Sequence, residues 1–202
     1  MKKNIIDISM LLFLNQGFKS VTMDDIANEM GISKKTIYAH FENKTKLIEA
    51  VAFQLFSQIC FRVETISIRS KNPIEELYSI IIYVTQYLKD EKSSTQNQLK
   101  KYYFKIHQTL KFMVCEKIHL YITDCLHRGL EIGVFKHKIN TDFISRMFYL
   151  GMKSINDDIS FPPNKYQTHY LIECYTEYHL QAIVSKKGKK MLNNLTKINE
   201  PQ

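Results

Sequence analysis

Glycine and proline are scarce in this chain, 6 and 4 among 202 residues. With so few breakers, and no Asn-Gly or Asp-Gly turn between alternating apolar and polar runs, an all-β architecture has no support and long helices are the default. The four cysteines, at 60, 115, 125 and 174, include no Cys-x-x-Cys pair. That argues against a zinc ribbon or a disulfide framework and for reduced, packed thiols. No apolar run reaches the roughly 18 residues of a membrane span. The Met1-Lys2-Lys3 start leads into an apolar stretch interrupted by Asn4 and Asp7, without a small-residue cleavage site. The expectation is a cytoplasmic protein with no membrane partner.

What is present favours a folded chain. Apolar residues make up 45% and aromatics 12%, with 12 Tyr and 12 Phe, where a disordered chain would be poor in both. The length suits one helical domain, or a small domain on a larger one. The net charge of +8 suggests a polyanionic partner. Half of it lies in the tail, where Lys186, Lys187, Lys189, Lys190 and Lys197 face Glu200, and that end is read as solvated. The excess between Ser33 and Lys46 is more informative, because Lys34, Lys35, Lys44 and Lys46 there face only Glu42.

Helical spacing of Ile5, Ile8 and Leu12 predicts a first helix over about 3–16, ended by Gly17 in the left-handed region, with Phe18 folding back on it. Thr22 and Asp25 form a capping box for a short helix that Gly31 stops. Ser33 caps the next, with Ile37 and Phe41 on one face, so two short helices meet across a tight Gly31-Ile32-Ser33 turn. Asn43 opens a long helix to about Ile68. Asn72, Pro73 and Glu75 mark a fresh start, and on their account Ile80 to Thr85 is read as helix although β-branched residues favour a strand. Residues 90–97 are expected as a loop. Helices follow over about 98–112 and 114–128, with breaks near Gly129 and Gly133, then one capped by Thr141 and a last one over 165–185. The lysine-containing segment 189–202 is expected to be flexible.

Two short helices so joined are the layout of a helix-turn-helix, whose second helix enters the major groove of DNA. With Ile37 and Phe41 buried, Lys35 and Ala39 point most directly away and Thr36 and Tyr38 flank them. Lys35 can reach a guanine edge or a phosphate, Ala39 permits close approach and can touch a thymine methyl, and Tyr38 offers a hydroxyl. Thr22, Ser33, Lys34 and Lys44 lie at helix starts suited to phosphate. His40 falls nearer the buried side and weighs less. The competing reading is a helical hairpin with a solvated lysine face.

The local sequence goes further. Gly17-Phe18, Val21-Thr22, Asp25-Ile26-Ala27, Gly31-Ile32-Ser33-Lys34, Thr36-Ile37-Tyr38, His40-Phe41 and Lys44 to Leu47 closely resemble the N-terminal domain of the TetR family of transcriptional regulators. The resemblance covers roughly residues 5 to 55. It implies an all-α protein of about nine helices: a DNA-binding head over 1–46 and a ligand-binding and dimerisation body over 47–188. It also implies a homodimer on a palindromic operator of double-stranded DNA, with release by a small-molecule effector. Lys35 stands where such proteins often carry a small residue, and Thr45-Lys46 replace a commonly acidic stretch; both departures bear on base preference.

The same resemblance implies a cavity among the middle helices. Tyr83, Tyr87, Tyr103, His107, Phe112 and His119 are the candidate lining, although a helical bundle needs such side chains in any case. It further implies that the last two long helices pair with a second subunit, through Ile144, Phe148, Gly151 and Ile155 on one and Leu171, Tyr175, Tyr178 and Ala182 on the other. Cys115 with His119, and Asp124 with His127, have metal-ligand spacing but do not complete a set of three or four. No nucleophile with a base and no paired carboxylates stand at persuasive spacing, so no catalytic residue, metal or cofactor is assigned. Alternatives are an activator or global DNA-binding protein controlled by a protein partner, and a helical interaction module that does not bind DNA.

Overall fold

Ile5, Ser9 and Phe13, four apart, form the buried side of α1, Lys2–Gln16. The structure is a computed structural model that describes residues 1–90 and 94–199, with side chains over 1–86 and 97–195. Gly17 ends α1 at φ 97° and ψ 149°, an extended conformation of positive φ and not the left-handed one expected. The reason is a close approach: a Cβ there would lie 2.4 Å from the side-chain amide of Gln98, which accepts from Lys19 N at 3.0 Å. Phe18 turns back to stack on Phe13 at 5.2 Å.

Thr22 starts α2, Met23–Met30, with the full capping box: its hydroxyl accepts from Asp25 N while the Asp25 carboxylate accepts from Thr22 N. Gly31 closes the helix in the left-handed region, at φ 62° and ψ 32°. Ser33 then caps α3, Lys34–Tyr38, by accepting from Thr36 N. Asn43 Oδ1 accepts from Lys46 N at the start of α4, Lys44–Arg69.

Residues 80–85 are helical, within α5, Pro73–Asp90, whose start is held by Asn72 Oδ1 accepting from Ile74 N and Glu75 N. The middle helices differ from expectation: α6, Ser94–Tyr102, begins inside the predicted loop, the helix predicted over 98–112 is broken at Tyr103, and α7, Phe104–Glu131, runs through the predicted break at 113. Buried Leu110, Val114, Ile118, Ile122 and Leu126 recur every fourth residue, so the apolar stripe crosses the predicted break at 113 without interruption. Asn140, not Thr141, caps α8, Thr141–Ile155, by accepting from Phe143 N.

α9, Thr168–Ile183, is followed by α10, Lys186–Asn199, where a flexible tail was expected. Leu192 is fully buried there, and Gly188 lies so near the Val134 carbonyl that a Cβ would be 2.1 Å from its oxygen. Lysine charge masked this apolar contact in the sequence, because the long stems leave the charged heads in water while the helix buries its other side. The described residues thus hold ten helices and no strand beyond an isolated bridge between Phe135 and Val184.

Two compact units result, Met1–Cys60 with Asp90–Val114, and Phe61–Lys89 with Cys115–Gln202. In the second, the Glu76 carboxylate is buried and accepts from both terminal nitrogens of Arg128, at 3.0 and 2.8 Å, and from the Ser67 hydroxyl. Arg128 also donates to Asp124. This network joins α4, α5 and α7 within that unit, and the Cys125 thiol beside it donates to the Pro73 carbonyl. Burial, aided by the Glu76 charge, pushes that thiol far above its ordinary range and makes it inert.

Candidate nucleic-acid interface

The first unit presents α3 on a base of apolar residues. Ile37 is fully buried and Phe41 nearly so, joined below by Val21, Ile26, Leu47 and Ile48. Lys35 and Ala39 are exposed, Tyr38 is 44% exposed, and Thr36 is half-buried. His40 is exposed as well. It was expected nearer the buried side, yet its side chain is open to solvent just past the end of α3 at Tyr38.

The polar residues around this face are ordered by one another. Ser33 Oγ and Thr36 Oγ1 lie 2.8 Å apart, and Lys34 donates to Asp24 at 2.7 Å, which raises the lysine pKa. The Thr22 backbone and hydroxyl hydrogen bonds lower the Asp25 pKa, keeping the capping box charged on its acceptor side. Lys44 is half-buried: its ammonium donates to the Lys19 carbonyl at 3.1 Å and lies 5.8 Å from the Phe13 ring centroid. Burial lowers its pKa, partly offset by Asp25. An ammonium has three donors, so two remain for an anion. The Lys35 side chain, by contrast, makes no hydrogen bond or ion pair among the described residues and is an exposed cation of α3.

The candidate ligand residues are divided between the two units. Tyr103 and His107 are half-buried in the first unit, where burial raises the tyrosine pKa and, with repulsion from Lys111 and Lys100, lowers that of the histidine. Phe112 is 67% exposed. The first unit has a groove of about 300 Å³ whose apolar lining is Ala52, Phe53, Ile106, Leu110 and Met113, none of them expected. In the second unit His119 is tied between α7 and α8: Nδ1 is 2.7 Å from Ser145 Oγ and Nε2 3.3 Å from Asp142. Tyr83 borders a hollow beside Ile66, Tyr78 and Ile82. The side chain of Tyr87 lies outside the described residues.

Half of the expected dimer face is spent inside the chain. Phe148 and Ile155 are buried, and Tyr175 donates from its hydroxyl to the Met147 and Phe148 carbonyls, covering Gly151. His179 stacks on Phe148 with ring centroids 3.6 Å apart. Phe148 and Tyr175, half of the stripe with Gly151 and Ile155, thus serve the contact of α8 with α9. Next to it lies a second apolar stripe, exposed: Phe143, Met147 and Leu150 on α8, and Tyr170, Cys174 and Tyr178 on α9. Among the expected residues Tyr178 and Ala182 are exposed, and Ile144 and Leu171 half-buried.

Residues 5–51 match the family model described as bacterial regulatory proteins, tetR family. The HTH-type transcriptional regulator YvaF of Bacillus subtilis is 30% identical over 118 residues, 58% of this chain and 62% of that protein. IcaR of Staphylococcus aureus, a negative transcriptional regulator of the biofilm operon icaADBC, is 31% identical over 81 residues, 40% of this chain and 44% of its own. The chain spans about 60% of the length of the first curated relatives it matches. Among solved structures, a TetR transcription regulator of Haloarcula marismortui superposes with a TM-score of 0.72 at 12% identity, over 91% of this chain and 98% of that one. The regulator FadR of Bacillus subtilis, solved with stearoyl-CoA, gives 0.64 at 18% identity, over 89% and 98%. At such identities these two likenesses establish the fold alone. The likeness to the tetR family of bacterial regulatory proteins thus lies in the head, over residues 5–51.

Proposed function

We propose that this protein is a sequence-specific transcriptional repressor that acts in the cytoplasm, binds a palindromic operator as a homodimer and is released by a small-molecule effector. The observation that carries the reading is the α2–α3 pair, capped at both starts, with Lys35, Tyr38 and Ala39 exposed above a buried Ile37. In a helix-turn-helix those positions read base edges. Thr36 and His40 lie at the edge of that surface. Thr22, Ser33, Lys34 and Lys44 hold the helix starts and meet phosphate, Lys44 with its two remaining donors.

The dimer forms through the exposed stripe of Phe143, Met147, Leu150, Tyr170 and Tyr178, continued by Ile144, Leu171 and Ala182. An apolar surface of that kind on adjoining helices is what a lasting interface between two copies requires. Two-fold symmetry then places two recognition helices on half-sites about 34 Å apart, or a multiple of that, and an effector that changes their separation releases DNA. Repression is favoured over activation by the relative IcaR, a negative regulator.

The test is to incubate the purified protein with genomic DNA fragments at moderate salt and sequence those retained. Enrichment of a palindromic site is the expected result. Retention without sequence preference would replace this reading with that of a global DNA-binding protein, and no retention would leave a protein-interaction module.

A further inference from the structure

Of the four arginines in the chain, two are anchored: Arg128 on Glu76 and Asp124, and Arg146 on Asp142. The side chains of Arg62 and Arg69 make no hydrogen bond or ion pair among the described residues. With Ile66 they sit at positions i, i+4 and i+7 of α4, which places all three on one face. That face borders α5 along two adjoining hollows that share Arg62, Ile66 and Ser79. One, of about 180 Å³, runs toward Arg69 and Ser70; the other, of about 300 Å³, runs toward Gln86 over Tyr78 and Ile82. All of these residues belong to the second compact unit.

We propose that this α4–α5 groove binds a free anionic amphiphile, a carboxylate or phosphate carrying an alkyl chain, with its head at Arg62 and Arg69 and its chain over Ile66, Tyr78 and Ile82. The guanidinium fork matches a carboxylate or phosphate with two parallel hydrogen bonds, and it loses less hydration than an ammonium in doing so. Glu75, the one acid of the lining, stands at the Ser70 end, where its carboxylate accepts from Lys71 N; the larger hollow is lined by no acid. A purely polar anion would leave the isoleucine and tyrosine surface uncovered, and a neutral chain would leave the arginines unmatched. The larger hollow is at the lower end of the size range of small-molecule sites. If the protein is the effector-released repressor proposed above, this names the class of effector; that consequence rests on that reading, whereas the binding itself does not.

Titration calorimetry of the full chain with decanoate, decyl phosphate, decanol and inorganic phosphate decides it. Saturable binding of decanoate or decyl phosphate at one site per chain is expected, with decanol and inorganic phosphate at least tenfold weaker. Arg62→Gln combined with Arg69→Gln, both exposed and so neutral to folding, should weaken decyl phosphate at least tenfold, and Ile82→Ser should weaken it independently. No saturable binding, unchanged affinity in the double variant, or inorganic phosphate binding as tightly as decyl phosphate would each overturn the proposal. Sedimentation with phosphatidylglycerol vesicles in place of decanoate binding would assign the groove to a membrane surface and overturn it too. Operator release is measured separately: decanoate binding that leaves DNA bound keeps the groove and removes only its link to regulation.

Discussion

Lys35 and Tyr38 owe their exposure to a local rule, the four-residue interval between Ile37 and Phe41 that buries the opposite side of the head. Lys35→Ala and Tyr38→Ala should each weaken operator binding by about 1–3 kcal/mol while melting temperature and dimer stay unchanged. Fluorescence anisotropy with a labelled operator checks this, and full affinity in both variants would move the reading surface elsewhere. Lys44→Ala should lower affinity for all sequences alike and reduce the slope of log affinity against log salt by about 0.9. A loss confined to one sequence would contradict a phosphate role. His179 carries a residue-scale effect of another kind. Burial against Phe148 holds its pKa down at about 4, and its Nε2 has no hydrogen-bond partner among the described residues. Unfolding restores the ordinary 6.5, so between those values the unfolded chain binds the extra proton. Stability contributed by the neutral ring is complete above pH 6.5 and falls as the pH drops toward 4, by at most about 3 kcal/mol. His179→Phe should flatten that part of the stability curve, and a curve identical to the parent's would show that the ring does not protonate on unfolding.

At the scale of elements, capping decided where the helices of the head begin, and a continuous apolar stripe decided how far α7 runs. The starts of α2, α3, α4 and α5 lie where Thr22, Ser33, Asn43 and Asn72 placed them, because each cap satisfies an orphan N–H within three residues and needs no tertiary partner. The join at 113 was written in the four-residue stripe from Leu110 to Leu126, whereas the helical tail was not legible, since α10 is held by contacts from residues distant in sequence. The Glu76–Arg128 pair is the element-scale bond with the largest consequence. Arg128→Leu leaves the Glu76 carboxylate buried with the Ser67 hydroxyl but no cation, and should cost about 3 kcal/mol in denaturant unfolding, whereas the double change Glu76→Leu with Arg128→Leu should recover much of that. If both variants unfold alike, the loss comes from Arg128 contacts other than the ion pair.

For the whole molecule, the question is how two copies are held. Leu150→Glu, at an exposed position of α8, should shift the protein toward monomer in sedimentation and lower operator affinity together, because a single head meets only one half-site. Phe148→Ala, by contrast, removes a fully buried ring and should lower chain stability by about 3–5 kcal/mol before it affects association. A Leu150→Glu protein that remains a tight dimer would place the interface on another surface.

The sequence by itself determined the helical class, the two capped helices of the head and the orientation of α3, since all three follow from spacing and caps within a few residues of one another. Tertiary structure alone decided which apolar stripe of α8 and α9 stays open. Two such stripes lie side by side on each helix at similar hydrophobicity, and only the seating of Phe148 and Ile155 inward, with Tyr175 over Gly151, assigns one to the chain's own core. The arginine groove was likewise beyond sequence. Arg62 and Ser79 are 17 positions apart, and the second compact unit alone brings them to one surface.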